Sequence, residues 1–234
     1  MPQIQGWDIA AYFCPARQVA GDFYDMFPIE DGQKFFFTVA DVCDKGVGPA
    51  MFGAITRTLL RAFSDNYSTS AAAESQNLPL RLTNEFTIAN ETESNMFVTI
   101  FAGVFDPKAH KITYINCGHN PPYILGADNK IRAALKPTGP ILGVFPDAKY
   151  TIREASLEPG ETLFVFTDGL PEAHNPQGEL WTNGCLEKTL QQPTASAADM
   201  LKRVEDGFRA HISTADQFDD ITILVIRREL PHID

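Results

Sequence analysis

The chain has 234 residues, of which 44% are hydrophobic, so it can bury a substantial core in one large domain or in two small ones. Its 19 basic and 30 acidic residues give a net charge of -11, which disfavours a phosphate backbone as partner, and we expect no nucleic-acid binding. The amino terminus lacks the basic segment and apolar core of a secretory signal, and no apolar run is long enough to cross a bilayer. We therefore expect a cytoplasmic protein with no membrane segment.

The first part of the chain predicts two strands and one helix. Residues Trp7 to Phe13 alternate in polarity as a half-buried strand does, and Lys34 to Asp41 is an apolar run that ends in acid. Gly48 to Phe63 predicts a helix, because apolar residues recur at every fourth position. The face expected to pack on the sheet contains Met51, Ile55, Leu59 and Phe63. The polar stretch Ser64 to Asn77 predicts either frayed helix or a loop.

A second helix follows, with Leu78, Leu82 and Phe86 in register, and the pattern then changes to strands. The predicted strands are Met96 to Phe105, Lys111 to Cys117, Pro122 to Leu125, Tyr150 to Ala155, Thr162 to Thr167 and Ile221 to Ile226. One more helix is predicted over Ala195 to Ile212, with Leu201, Val204, Phe208 and Ile212 facing inward. Because strands and helices come in blocks, an α+β sandwich is favoured over a doubly wound parallel sheet.

Four predicted strand ends contain acidic residues: Asp22, Asp41, Asp168 and the pair Asp219-Asp220. Turns select Asp and Gly in any case, so each acid alone is compatible with a simple turn. Their joint placement at the borders of apolar strands favours a shared site. Carboxylates that converge repel one another and must either bind protons or bind cations.

A two-metal centre would resolve this repulsion, because four ionised aspartates and two divalent cations sum to zero charge. Oxygen ligands select hard ions, so we expect Mg²⁺ or Mn²⁺. Zinc is disfavoured because the five histidines are scattered and no His-Glu-x-x-His is present. The four cysteines lie far apart with no Cys-x-x-Cys pair, which predicts reduced thiols.

Other phosphoryl-transfer sites can be tested against the sequence. The P-loop motif is absent. A cysteine phosphatase needs an arginine six positions after its nucleophile, and those positions hold Ala20, Pro49, Tyr123 and Gln191. An aspartyl-phosphate enzyme of the haloacid dehalogenase type needs Asp-x-Asp, whereas two residues separate Asp41 from Asp44. Asp219-Asp220 could imitate the later acidic pair of such an enzyme, so this alternative stays open at this point.

Taken together, these residues resemble the SpoIIE-type bacterial branch of the metal-dependent protein phosphatases (PPM family), and the match covers nearly the whole chain. It rests on motifs in a fixed order: Pro15-Ala16-Arg17 with Gly21-Asp22-Phe23-Tyr24-Asp25, Ala40-Asp41-Val42 with Lys45-Gly46-Val47, Cys117-Gly118-His119-Asn120-Pro121-Pro122, Thr167-Asp168-Gly169-Leu170 with Glu172-Ala173, and Asp219-Asp220-Ile221-Thr222. Two departures are small: Ala20 stands where this branch usually has glycine, and Asp44 with Gly48 alters the turn after Asp41.

The resemblance implies a role for each matching residue. Asp41 would bridge two metal ions, and the Val42 carbonyl would bind one of them. Asp168 and Asp219 would complete the other metal site. Asp22 would serve the centre directly or through water. A hydroxide held between the metals would then attack the phosphorus in line, without a phosphoenzyme.

Other residues of these motifs have less certain roles. His119 is a candidate to position substrate or to protonate the leaving alkoxide, but Gly118-His119-Asn120 could equally shape a turn. Asp25 and Asp220 are candidates to support the metal ligands. Arg17 lies near these motifs and could bind phosphate, but a solvated surface arginine is the favoured interpretation.

The resemblance also implies a fold and a biological setting. We expect a four-layer α-β-β-α sandwich with two central, mainly antiparallel sheets flanked by helices. We expect residues 1–234 to be a single phosphatase domain, the C-terminal part of a longer regulator with an upstream sensor domain. The implied activity is hydrolysis of phosphoserine or phosphothreonine on a partner-switching regulator, such as a STAS-type anti-sigma-factor antagonist. The alternative is a catalytically silent module of the same fold that binds a phosphoprotein.

Overall fold

The computed structural model describes residues 1–64, 78–90 and 96–231, and these form two compact units. Unit 1 comprises the described residues of Met1–Arg17, Pro121–Leu135 and Leu157–Asp234, and unit 2 comprises those of Gln18–Asn120 and Lys136–Ser156. Each unit contains one five-stranded sheet whose neighbouring strands are all antiparallel. The prediction of an α+β fold with two antiparallel sheets is confirmed.

The described residues contain ten strands and four α-helices. The strands are β1 (Trp7–Cys14), β2 (Phe23–Ile29), β3 (Lys34–Val42), β4 (Val98–Asp106), β5 (Lys111–Cys117), β6 (Tyr123–Leu125), β7 (Ile131–Ala134), β8 (Arg153–Ser156), β9 (Thr162–Phe166) and β10 (Ile221–Arg228). The helices are α1 (Val47–Ser64), α2 (Leu78–Asn90), α3 (Thr182–Leu190) and α4 (Ala197–Ile212).

The sheet of unit 1 has the order β1-β10-β9-β6-β7, and helix α4 packs on β1 and β10. The hydroxyl of Ser196 caps α4 by accepting a hydrogen bond from the Asp199 backbone N–H at 3.0 Å. All four residues predicted to face inward on this helix are buried, so that prediction is confirmed: Leu201, Val204, Phe208 and Ile212.

The sheet of unit 2 has the order β2-β3-β4-β5-β8, and helix α1 packs on β2 and β3. Strand β3 contains Asp41 near its end, and its apolar run is buried along almost its whole length. The predicted hairpin between β4 and β5 is confirmed. Its turn is held by the carboxylate of Asp106, which accepts hydrogen bonds from the backbone N–H groups of Lys108 and Ala109.

The predicted packing face of helix α1 is wrong. Met51 is 62% exposed and Ile55 is 42% exposed, whereas the residues that pack on the sheet include Phe52, Gly53 and Leu60. Both sets of residues have helical spacing. The set that packs on the sheet is the one with small residues, because small residues let the helix approach closely. A Cβ atom on Gly53 would lie 3.0 Å from the carbonyl oxygen of Gly21, so a larger residue there would push the helix away.

Helix α2 differs from the prediction in the same way. Phe86 is exposed, and the buried face consists of Leu80, Thr83, Asn84 and Thr87. The buried polar residues have local roles: the Thr83 hydroxyl donates to the Pro79 carbonyl, and the Asn84 amide binds the loop after β7. A pattern search for apolar residues cannot find a buried face of this kind.

The remaining predictions differ at the ends of elements or were missed. Strands β2 and β7 and helix α3 were not predicted from the sequence, and β8 begins at Arg153 rather than Tyr150. Ser64 ends α1, and the rest of the stretch to Asn77 lies outside the described residues. The four cysteines are free thiols, as predicted. Within residues 1–64, 78–90 and 96–231, no helix combines the length and the hydropathy needed to cross a membrane.

Candidate metal and active site

Asp22 and Asp41 lie at the same end of the β2–β3 pair in unit 2. The ladder pairs Phe23 with Ala40, so Asp22 directly precedes this pair and Asp41 directly follows it. Asp22 is 6% exposed, and Asp41 is partly buried. A Cβ atom on Gly21 would lie 3.1 Å from the Val42 carbonyl oxygen, so the glycine lets the two strand ends approach closely around that carbonyl.

Asp41 and Asp44 look alike in the sequence, but Asp41 lies in strand β3 and Asp44 lies in the turn after it. Asp44 has a φ of 68°, and its carboxylate accepts a hydrogen bond of 2.7 Å from the Lys45 backbone N–H. Asp44 is thus a turn residue. Burial, and then the negative charges of Asp41 and Asp44, raise the pKa of the Cys43 thiol above its ordinary value. The neutral thiol accepts a hydrogen bond from the Phe97 backbone N–H.

Asp168 and Asp219 lie at neighbouring strand ends in unit 1. The Thr167 N–H donates to the Thr222 carbonyl at 3.0 Å, and the Thr222 N–H donates to the Thr167 hydroxyl at 2.9 Å. These bonds extend the β9–β10 pairing up to Asp168. Gly169 then passes so close to the other strand that a Cβ atom there would overlap the Asp220 carbonyl and lie 3.1 Å from the Asp219 Cβ.

The acidic segment before β10 is fixed by side-chain hydrogen bonds. The Gln217 amide donates to the carbonyls of Cys14 and Asp219, each at 2.8 Å. The Asp220 carboxylate accepts a hydrogen bond of 2.7 Å from the Ala16 backbone N–H. Asp220 therefore holds the segment that contains Arg17 beside the end of β10, whereas the Arg17 side chain itself is exposed.

Asp25 binds arginines of helix α1. Its side chain is 5% exposed, and it accepts hydrogen bonds from Arg57 at 3.0 Å and from Arg61 at 2.6 Å and 2.7 Å. Burial by itself would raise the pKa of the Asp25 carboxyl, but the hydrogen bonds from Arg61 and Arg57 outweigh it and hold that pKa below its ordinary value. Asp25 thus ties α1 to β2.

His119 is buried and lies next to the partner of Asp41. Its Nδ1 and the Thr99 hydroxyl are 2.8 Å apart, and Thr99 is the residue of β4 that pairs with Asp41. The His119 backbone N–H donates to the Asn116 side chain at 2.8 Å, and Gly118 has a φ of 69°, so this segment is also a tight turn. The geometry supports the turn interpretation. It also places the imidazole in contact with Thr99, which pairs with the candidate metal ligand Asp41.

The chain was compared with known protein families and with known proteins. Residues 31–229 match the family model described as Stage II sporulation protein E (SpoIIE). The chain belongs to the SpoIIE family. The family predicted from the motifs is thereby confirmed.

Two characterised relatives resemble this SpoIIE-family chain over nearly its whole length. It is 36% identical to Protein IcfG of Synechocystis sp. over 97% of the chain, which is 39% of that relative. It is 27% identical to the phosphoserine phosphatase RsbU of Bacillus subtilis over 98% of the chain, which is 66% of that relative. The chain therefore spans less than two thirds of the length of either protein.

Solved structures of low identity share the fold. The SiaA-PP2C domain of Pseudomonas aeruginosa is 20% identical, with a TM-score of 0.76 over 94% of this chain and 85% of that one. The PP2C phosphatase domain of SpoIIE from Bacillus subtilis, solved with a fragment of its regulatory domain, is 15% identical, with a TM-score of 0.76 over 94% of this chain and 63% of that one. These similarities establish a PP2C-like α+β sandwich fold for the SpoIIE-family chain.

The structure thus brings the predicted acids together in pairs, one pair in each unit. Among the described residues, no group of three or more His, Cys, Asp or Glu side chains is arranged to hold a metal ion. The donors themselves suit hard divalent cations, because each pair consists of carboxylates and Gly21 leaves room beside the Val42 carbonyl. The ligand set of the SpoIIE-family chain stays a prediction.

Some residues that shape these strand ends had no signal in the sequence. Thr99 lies beside Asp41 only because β3 pairs with β4, whereas Gln217 reaches the Asp219 carbonyl from two residues away in the chain. The ring of Phe218 lies 5.0 Å from that of His174, although 44 positions separate them in the chain. A close inspection of the sequence could have noted Phe218 only as an apolar residue directly before an acidic pair.

Proposed function

We propose that this chain is a metal-dependent protein serine/threonine phosphatase. The observation that carries the proposal is the placement of Asp22 with Asp41, and of Asp168 with Asp219, at the ends of two antiparallel strand pairs. Similarity to the phosphoserine phosphatase RsbU over 98% of the chain supports the same activity.

The four aspartates and the Val42 carbonyl would hold two divalent cations, Mn²⁺ or Mg²⁺. Bound cations would neutralise the carboxylates, lower the pKa of a bound water so that it can attack phosphorus, and stabilise the charge that develops on the phosphoryl oxygens. No phosphoenzyme is required, because the attacking oxygen comes from water.

The contribution of the protein is mostly positioning. Gly21 and Gly169 allow the strand ends to approach closely, and Gln217 fixes the main chain at Asp219. His119 holds the Thr99 hydroxyl beside Asp41, so we assign it a positioning role through that residue. Fixed ligands lower the barrier because they need little reorganisation during the reaction.

The proposed substrate is a phosphoserine or phosphothreonine on a partner-switching regulator, of the STAS-type anti-sigma-factor antagonist class. One of the similar structures, from Mycobacterium tuberculosis, contains the RsbU and RsbW domains of Rv1364c; it is 24% identical with a TM-score of 0.72 over 97% of this chain and 61% of that one. That structure contains an RsbU domain together with an RsbW domain, which supports a setting in which the phosphatase domain is combined with other domains. We further propose that the chain is one phosphatase domain of a longer, sensor-controlled regulator.

The test is release of phosphate from p-nitrophenyl phosphate and from a phosphoserine protein, with Mn²⁺ and with EDTA. We expect activity only with Mn²⁺, and a loss of about hundredfold or more in Asp41→Asn. Asp44→Asn is the matched control, because it removes a nearby charge from a turn residue and asparagine tolerates a positive φ. Activity that survives EDTA, or that is equal in Asp41→Asn and wild type, would overturn the two-metal proposal.

A thermal melt gives a second readout that needs no turnover. Mn²⁺ that binds only the folded chain at about 100 times its dissociation constant adds about 2.7 kcal/mol to the free energy of unfolding. We expect this shift in wild type and in Asp44→Asn, and a smaller one in Asp41→Asn. A normal shift without activity on any phosphoprotein would favour the alternative of a silent phosphoprotein-binding module.

A further inference from the structure

An exposed apolar patch adjoins the acidic end of β10 in unit 1. Phe218 is 55% exposed and Leu180 is 44% exposed. The Phe218 ring packs on His174 with ring centroids 5.0 Å apart, and His174 forms a β-bridge with Leu180. These three residues are called the Phe218 patch.

The main chain on both sides of Phe218 is fixed. Gln217 donates to the carbonyls of Cys14 and Asp219, each at 2.8 Å, and the Asp219 carboxylate accepts from the Asp220 N–H at 2.9 Å. The ring therefore projects from a rigid segment. A side chain that is already ordered loses little entropy when it binds a partner.

The other side of the patch is fixed as well. The Trp181 N–H donates to the Ala173 carbonyl at 2.9 Å, and His211 Nε2 lies 2.8 Å from the Glu179 carbonyl oxygen. These contacts tie the segment around His174 and Leu180 to the two ends of its hairpin and to helix α4. The patch is thus a built surface and not the tip of a loose loop.

A single exposed apolar residue is ordinary in a folded protein and needs no explanation. The Phe218 patch differs in that an aromatic ring, an imidazole and a leucine are grouped on rigid backbone. It also directly precedes Asp219, a candidate metal ligand. Aromatic residues, including phenylalanine, are enriched where proteins bind one another.

We propose that Phe218 is a specificity-determining residue that contacts an apolar side chain next to the phosphorylated residue of the protein substrate. The proposal rests on the phosphatase function proposed above. Phe218 directly precedes Asp219, so their Cα atoms are about 3.8 Å apart, and a substrate residue next to the phosphoserine would lie close to both. The aromatic and aliphatic surface of the patch selects an apolar neighbour over a polar one.

The test uses two phosphoserine peptides that differ only at the residues flanking the phosphoserine, leucine in one and alanine in the other. Wild type should hydrolyse the leucine peptide with a kcat/KM about tenfold higher. In Phe218→Ala this ratio should fall to about one, and in Phe218→Leu it should be intermediate. Phe86→Ala, which removes a ring that is 43% exposed from α2, should keep the tenfold ratio.

Each result decides the question. A ratio near one in wild type, or a tenfold ratio that persists in Phe218→Ala, overturns the role of Phe218. Leu180→Ala provides the same comparison within the patch if circular dichroism shows that Phe218→Ala is not folded. Wild type that hydrolyses neither peptide nor p-nitrophenyl phosphate with Mn²⁺ rejects the phosphatase function itself, and the specificity proposal with it.

Discussion

Arg61 forms two hydrogen bonds with Asp25, from Nε to Oδ2 at 2.6 Å and from Nη2 to Oδ1 at 2.7 Å. The same guanidinium lies over the Phe27 ring at 4.5 Å from its centroid. Arg57 adds a third hydrogen bond to the Asp25 carboxylate. Helix α1, which follows the turn after Asp41, is therefore attached to strand β2 through one nearly buried acid.

Replacement of this acid should destabilise the fold. We expect Asp25→Asn to lower the free energy of unfolding by about 1 to 3 kcal/mol, because it leaves two arginines facing an uncharged amide. The larger figures known for fully buried pairs do not apply, since both arginine side chains are about half exposed. Urea denaturation followed by circular dichroism measures the change.

The control is another ion pair of the same length on helix α2. Arg81 and Glu85 are 2.6 Å apart, and both side chains are about half exposed. Glu85→Gln should change the free energy of unfolding by less than about 0.5 kcal/mol. Equal effects of the two substitutions would show that burial of Asp25 contributes nothing.

The pH dependence of the same pair has a defined sign. The Asp25 pKa is lower in the folded state than its ordinary value of 3.8, because the Arg61 and Arg57 hydrogen bonds outweigh the opposing effect of burial. Its contribution to stability is thus complete above the ordinary pKa and declines as the pH falls through the folded-state pKa.

The difference in unfolding free energy between wild type and Asp25→Asn should therefore be constant from about pH 5 to 7 and shrink below about pH 4. Urea titrations at a series of pH values measure this difference. A difference that grows as the pH falls would mean that the ion pair is absent in solution.

Gly169 should tolerate no side chain. A Cβ atom there would overlap the backbone carbonyl of Asp220, and neither strand can move without breaking the Thr167–Thr222 hydrogen bonds. We expect Gly169→Ala to destabilise the chain by about 2 kcal/mol or more and to lower phosphatase activity, because it displaces Asp168 from Asp219.

Gly48 is the matched control for this substitution. A Cβ atom on Gly48 meets nothing within 4 Å, and the residue lies in helix α1. Gly48→Ala should leave stability unchanged or raise it by up to about 1 kcal/mol, since alanine favours helix. Thermal melts of both variants test the pair, and similar losses in both would contradict the proposed clash.

The orientation of helix α1 can be tested at two neighbouring residues. Phe52→Ala should lower the free energy of unfolding by about 3 kcal/mol, because the ring is 3% exposed and packs in the core of unit 2. Met51→Ala should change it by less than about 0.5 kcal/mol, since its side chain lies in solvent. If chemical denaturation shows that Met51→Ala is the more destabilising substitution, the packing face predicted from the sequence is the correct one.

Elements with a local signal could be predicted from the sequence. The apolar run that ends at Asp41 and the amphipathic pattern of α4 were both identified from residue types and spacing. The motif order was sufficient to predict the family. Strands β2 and β7 and helix α3 were not predicted. Strand β2 is interrupted by Asp25 and Pro28, β7 has only four residues, and α3 is short and mixed in polarity, so none of them presents a strong period.

Contacts between distant residues could not be predicted in this way, because they depend on how the elements pack. Two stripes of α1 have helical spacing, and the sheet selects the one that contains Gly53 because close approach depends on side-chain size. Asp25 was predicted as a candidate to support the metal ligands, and the fold gives its two oxygens arginine partners 32 and 36 positions away. Local spacing fixes the period of a segment, whereas the identity of its partner depends on packing between segments that are distant in the chain.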